Sequence, residues 1–178
     1  MANYTLHDLP LDHVALIGYI TLFFFFLYKL SDTFKNPLDL VANISLLTGL
    51  GALITYHYRK INENIDETNN DAQKHTRLVA HSSIVLFFLI TLTSYSKAVY
   101  RFYDNFGVLG HVFLLWAVAT GNPQLIGLLL LALYFFFATY RKTQVQTGAE
   151  TLNLVGRLLL TLFFITVSII GLIDLSKK

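Results

Sequence analysis

Apolar residues fall in long runs along this chain, and polar residues gather in the breaks between them. The runs cover roughly residues 13–30, 37–58, 77–95, 105–120, 123–141 and 152–172. Several approach the roughly 20 residues that carry a helix across a bilayer. The pattern predicts an all-α, polytopic transmembrane helical bundle, one domain over residues 1–178.

One stretch sets the span count. No Lys, Arg, Asp or Glu stands between Asp104 and Arg141. As a single rod it would be about 50 Å long, against a hydrocarbon core of about 30 Å. A break is therefore expected, and Gly121-Asn122-Pro123 marks it. Gly121 allows a positive φ. Asn122 is a favoured N-cap, and Pro123 suits a first helical position. Two short helices, 105–120 and 123–141, give six spans with both termini on one side. One kinked helix over 105–141 would give five spans and opposite termini. Asn36-Pro37 repeats the same cap-and-start signal before the second run.

Composition agrees with lipid as the solvent. The chain is 54% hydrophobic with a mean hydropathy of +0.55, and 13% of it is charged, against about 25% in soluble domains. The longest polar stretch, 59–77, is too short to bury a core. It reads as a solvated acidic connector. Asp8 and Asp12 precede the first run without a basic flank, which predicts a permanent span rather than a cleaved signal peptide. Cysteine is absent, which excludes disulfides, thiolate metal sites and iron–sulfur clusters. A net charge of +2 gives no argument for nucleic acid.

Aromatic and basic residues cluster at the predicted span ends, at Tyr28-Lys29, at 56–60 and at Lys97, Tyr100, Arg101 and Tyr103. With six spans, Arg59, Lys60, Lys74, Arg77, Lys177 and Lys178 lie on the terminus side. Lys29, Lys35, Lys97, Arg101, Arg141, Lys142 and Arg157 lie on the other. Six against seven assigns no orientation, because the positive-inside rule needs an imbalance. Ser45, Gly49 and Gly51 are small residues that let helix backbones approach closely.

Segments also recur in order: His13-Val14 with His111-Val112, 36–60 with 122–142, and 78–88 with 154–164. They suggest two inverted three-helix units, 11–100 and 105–178, a plan that transporters use.

Ionisable groups inside spans are costly and often functional. Arg157, His111, Asn122 and Gln124 are the candidates for a ligand or ion pathway. Arg157 cannot shed its charge, so it must reach the interface, a cavity or a carboxylate; Asp39, Asp104 and Glu150 share its side. His57, His81 and His13 share the terminus side and are the candidates for holding one haem b. His81 and His111 would stand about 10 Å apart along the bundle axis, too far to share a ligand. No catalytic set stands out and no cofactor is expected. The leading expectation is a non-enzymatic membrane subunit packed by its Phe-rich faces against lipid and other subunits or copies of itself. The alternatives are a small transporter or channel and a b-type haem electron carrier.

Overall fold

The computed structural model describes residues 10–34, 36–63, 71–93, 101–140 and 148–177. Among them are six α-helices: α1 Leu11–Lys29, α2 Pro37–Glu63, α3 Asp71–Thr93, α4 Asp104–Thr120, α5 Leu125–Tyr140 and α6 Gly148–Ser176. A 3-10 turn, Leu30–Thr33, follows α1. The described residues contain no strand. Four helices, α1 with its turn, α2, α3 and α6, are long and apolar enough to cross a membrane. α4 and α5, of 17 and 16 residues, are each about 25 Å long.

The expected break at residue 121 is present. Gly121 takes a φ of 73° and ends α4 in the left-handed conformation, where a Cβ would be strained. The start of α5 differs from the sequence expectation. Asn122 donates its Nδ2 back to Thr120 Oγ1 at 2.8 Å, and it lies two residues ahead of the Gln124 position that precedes the helix. α5 opens instead at Leu125, with Leu128 N–H donating to Gln124 O at 3.0 Å. At the matching signal the cap forms. Asn36 Oδ1 accepts from Leu38 N–H at 3.1 Å, and Pro37 is the first residue of α2. The polar connector 59–77 is shortened from both sides, because α2 runs on to Glu63 and α3 begins at Asp71.

Helices that follow one another in sequence pack side by side, and α6 returns to α1 to close a ring. Large apolar side chains such as Ile17, Phe24, Trp116, Phe136 and Leu162 face outward. His57, His81, His111, Asn153, Thr161 and Ser168 are buried. Most of the buried side chains are apolar too, and the few buried polar groups face protein or a cavity, as lipid demands.

Three helix pairs meet backbone to backbone. In α1 and α6, a Cβ on Gly18 would lie 3.3 Å from Gly156 O, and one on Gly156 would lie 3.0 Å from Gly18 O. In α4 and α5, Gly110 and Gly127 face each other's carbonyls at 3.2 and 3.0 Å. In α2 and α3, Gly49 faces Ala80 O at 2.9 Å. A Leu or Ile four residues beyond one small residue covers the facing one: Leu22 and Leu160, Leu114 and Leu131, and Ile84 over Gly49. Close packing of this kind replaces the hydrophobic effect as the force holding helices together in lipid.

Candidate functional site: two cavities on the bundle axis

The ring encloses two cavities, one toward each end. The terminus-side cavity, about 330 Å³, opens where α1, α3 and α5 begin; Asp12, His57, Lys60, Arg77, His81 and Gln124 contribute its polar lining. The far cavity, about 250 Å³, lies toward the opposite end; Arg101, Tyr103, Asp104, His111, Tyr134, Asn153 and Arg157 supply its polar side chains. Phe25, Phe26, Phe87, Phe88 and Phe135 form much of its apolar wall. Tyr19 lines both.

At the terminus side, α1 and α2 are tied by charge. His57 Nδ1 donates to Asp12 Oδ1 at 2.9 Å, and Lys60 Nζ lies 3.3 Å from Asp12 Oδ2. Asp12 and Tyr19 are seven residues apart, two helical turns, so both face inward. The Tyr19 ring stacks on His57 with centroids 5.5 Å apart. Arg77 sits over the Tyr56 ring at 5.3 Å, a cation–π contact.

At the far side, the turn before α4 folds onto itself. Arg101 Nη1 donates to the Tyr103 hydroxyl at 2.6 Å, and Arg101 N–H donates to Asp104 Oδ2 at 2.8 Å. The Tyr103 hydroxyl holds the Arg101 guanidinium above its ordinary pKa, so it stays charged at the cavity mouth. Arg157, from α6, donates Nη1 to Ala138 O on α5 at 3.2 Å. It is within electrostatic reach of Asp104 and Tyr134. Asn153, one turn before Arg157, is 1% exposed, and its Oδ1 has no hydrogen-bond partner.

The two cavities are separated by a thin layer, and a histidine pair crosses it. His81 Nδ1 and His111 Nδ1 are 3.0 Å apart, with both residues buried. His81 lines the terminus-side cavity and His111 the far one. This corrects the expected 10 Å offset. That offset took α3 to begin near Arg77. α3 begins at Asp71, six residues earlier, which puts His81 about 15 Å along its helix. His111 stands about 14 Å from the Thr120 end of α4, so the two rings come level.

The other candidates divide. Arg157, His111 and Gln124 line cavities. Asn122 is exposed at the α4–α5 turn, and His13 is on the exposed face of α1. His57 and His81 share the terminus-side cavity, but His13 does not join them. Among the described residues, no three His, Cys, Asp or Glu side chains converge to hold a metal ion. Tyr19, Tyr134 and Asn153 are cavity residues that sequence reasoning did not single out, and Arg101 and Tyr103 were expected only as markers of a span end. The usable signal was positional: Asn153 and Arg157 are one turn apart on α6, as Asp12 and Tyr19 are two turns apart on α1.

Comparison with family models, with curated proteins and with solved structures finds no match. The chemistry of the cavities therefore has to be argued from their own geometry.

Proposed function

We propose that this chain is a small transporter or channel that conducts anions between the two cavities. All six helices cross the membrane in this reading, with both termini on one face. One observation carries it: two half-open cavities, each with charged side chains set in a largely apolar wall, lie end to end on the bundle axis with only a layer of side chains between them. A purely structural subunit has no need of such an interior. The outward Phe and Leu side chains satisfy lipid as well as they would a neighbouring subunit, so they do not favour the subunit reading.

Charge selects the sign of the solute. The far cavity has Arg101 and Arg157 against Asp104, and the terminus-side cavity has Lys60 and Arg77 against Asp12. Among the described lining residues of the far cavity two fixed cations thus stand against one carboxylate, in surroundings where charge interactions are stronger than in water. Size follows from volume. An engineered apolar cavity of about 150 Å³ admits benzene, so a single-ring anion fits either chamber.

The reading does not need two inverted three-helix units. Backbone-close crossings alternate around the ring, at α6·α1, α2·α3 and α4·α5. Superimposing α1–α3 on α4–α6 would place close crossings where they are absent. Three helix pairs, rather than two triplets, describe the packing.

The test is flux in proteoliposomes with permanently charged solutes, which do not leak through lipid as neutral acids. Chloride, methanesulfonate and benzenesulfonate should pass, and sodium and choline should not. Arg157→Gln should lower anion flux at least tenfold, with Arg157→Lys keeping part of it. Unchanged flux in Arg157→Gln, or a preference for cations, would refute the proposal.

A further inference from the structure

We propose that the His81–His111 pair passes protons between the two cavities. The inference goes beyond anion conduction. It needs the cavities to reach opposite faces, but it does not need an anion to move.

The geometry is specific. Two buried rings from adjacent helices meet nitrogen to nitrogen at 3.0 Å, an ordinary hydrogen-bond distance. Only one of the two can hold the proton between them, so one ring donates from Nδ1 and the other accepts there. In each ring Nε2 lies across from that bond, and each ring borders a different cavity. The pair is thus a single hydrogen bond between two rings that border different cavities. The ring planes are tilted by 42° with centroids 5.3 Å apart, so the contact is edge to edge rather than a stack.

The transfer balances. Suppose His81 donates. A proton from the terminus-side cavity binds His81 Nε2. The His81 Nδ1–H bond breaks as an N–H bond forms at His111 Nδ1. His111 Nε2–H then gives its proton to the far cavity. One proton has crossed, no group has changed charge, and donor and acceptor have exchanged. A second proton in the same direction must wait until both rings have returned to their starting tautomers by losing a proton from one nitrogen and gaining one at the other. A proton moving the opposite way need not wait. The pair therefore favours one proton per cycle over continuous flow.

Groups facing the pair from each neighbouring helix define its surroundings. Tyr19 of α1 lines both cavities. Asp12 of α1, His57 and Lys60 of α2 and Arg77 of α3 face the terminus-side cavity, as does Gln124 ahead of α5. Tyr134 of α5, Asp104 of α4, Asn153 and Arg157 of α6, and Arg101 and Tyr103 of the turn before α4 face the far one. Both rings are buried, and burial opposes a lasting positive charge on either. A transient hand-over suits that environment better than a stored proton.

The experiment uses the full chain in liposomes that contain a pH-sensitive dye, with the potential clamped and no solute added. Wild type should dissipate an imposed pH gradient. Asparagine places a carboxamide near the position of Nδ1, keeping a hydrogen bond but offering no second nitrogen to carry the proton onward. His81→Asn and His111→Asn should therefore each lower proton flux at least tenfold. Thermal stability should stay close to wild type. Proton flux that survives in both Asn variants would overturn the relay. So would a wild type that passes chloride and no protons. Proton flux that depends on the histidines in vesicles impermeable to chloride would instead sustain the relay and refute anion conduction.

Discussion

Gly49 and Gly51 lie two residues apart on α2, and the structure predicts opposite outcomes for the same substitution. A Cβ at Gly49 would stand 2.5 Å from Ile84 Cγ1 and 2.9 Å from Ala80 O. Carbon atoms in contact prefer about 3.5–4.0 Å. Ala80 O is backbone, so the clash cannot be relieved by turning a side chain; α2 and α3 must move apart by up to about 1 Å. A gap of that size forfeits about a quarter to a half of each affected contact, and overpacking of this kind costs about 1–3 kcal/mol. Alanine recovers up to about 1 kcal/mol of helix propensity, leaving Gly49→Ala less stable by about 0–2 kcal/mol. At Gly51 the nearest atom to a new Cβ is Phe23 Cε2 at 3.8 Å, ordinary contact. Only the propensity gain remains, so Gly51→Ala should be more stable by about 0.5–1 kcal/mol. Thermal unfolding of the two variants in one detergent, followed by the loss of monodisperse protein, ranks them. Gly49→Ala as stable as Gly51→Ala would refute the close crossing of α2 and α3.

Other outcomes follow from the same packing. Trp116 is the only tryptophan and is 52% exposed on α4; brominated lipid acyl chains should quench its fluorescence, and aqueous iodide should not. Asp12→Asn removes the charge that binds His57 and Lys60 and should destabilise the protein by about 1–3 kcal/mol, read as a lower midpoint of thermal unfolding. Because His13 is exposed and does not join His57 and His81 at the terminus-side cavity, purified protein should show no Soret band, and a Soret band would mean that the chain holds a haem after all.

The lipid-facing architecture was legible because the apolar runs and the Gly121 break are local features. Arg157 could be read as well, since a permanent charge inside an apolar run has few places to go. The histidine pair could not. Its level depends on where α3 begins, and the polar first turn and a half of α3, from Asp71 to Thr76, looks like connector until the helix is seen. Asn122 misled for a related reason. The helix opens at Leu125, so Asn122 and Pro123 belong to the turn rather than to the first turn of α5. Tyr19 and Tyr134 were hidden in apolar runs, where a tyrosine reads as bulk until the ring of helices shows which face turns inward. The same ring explains why the pairing of α1–α3 with α4–α6 was attractive in sequence. Leu- and Phe-rich helices match easily, whereas the glycines that set the crossings are few.

The central claim is that the two cavities open to opposite faces of the membrane. The chain has no cysteine, so single cysteines can be introduced without background. Thr91→Cys and Asn153→Cys lie in the far cavity, and Gln124→Cys and Val167→Cys in the terminus-side cavity. In sealed, uniformly oriented vesicles, a membrane-impermeant thiol reagent added outside should label one pair and spare the other, and the same reagent trapped inside should reverse the result. Labelling of both pairs from one face, or of neither from any, would contradict the account.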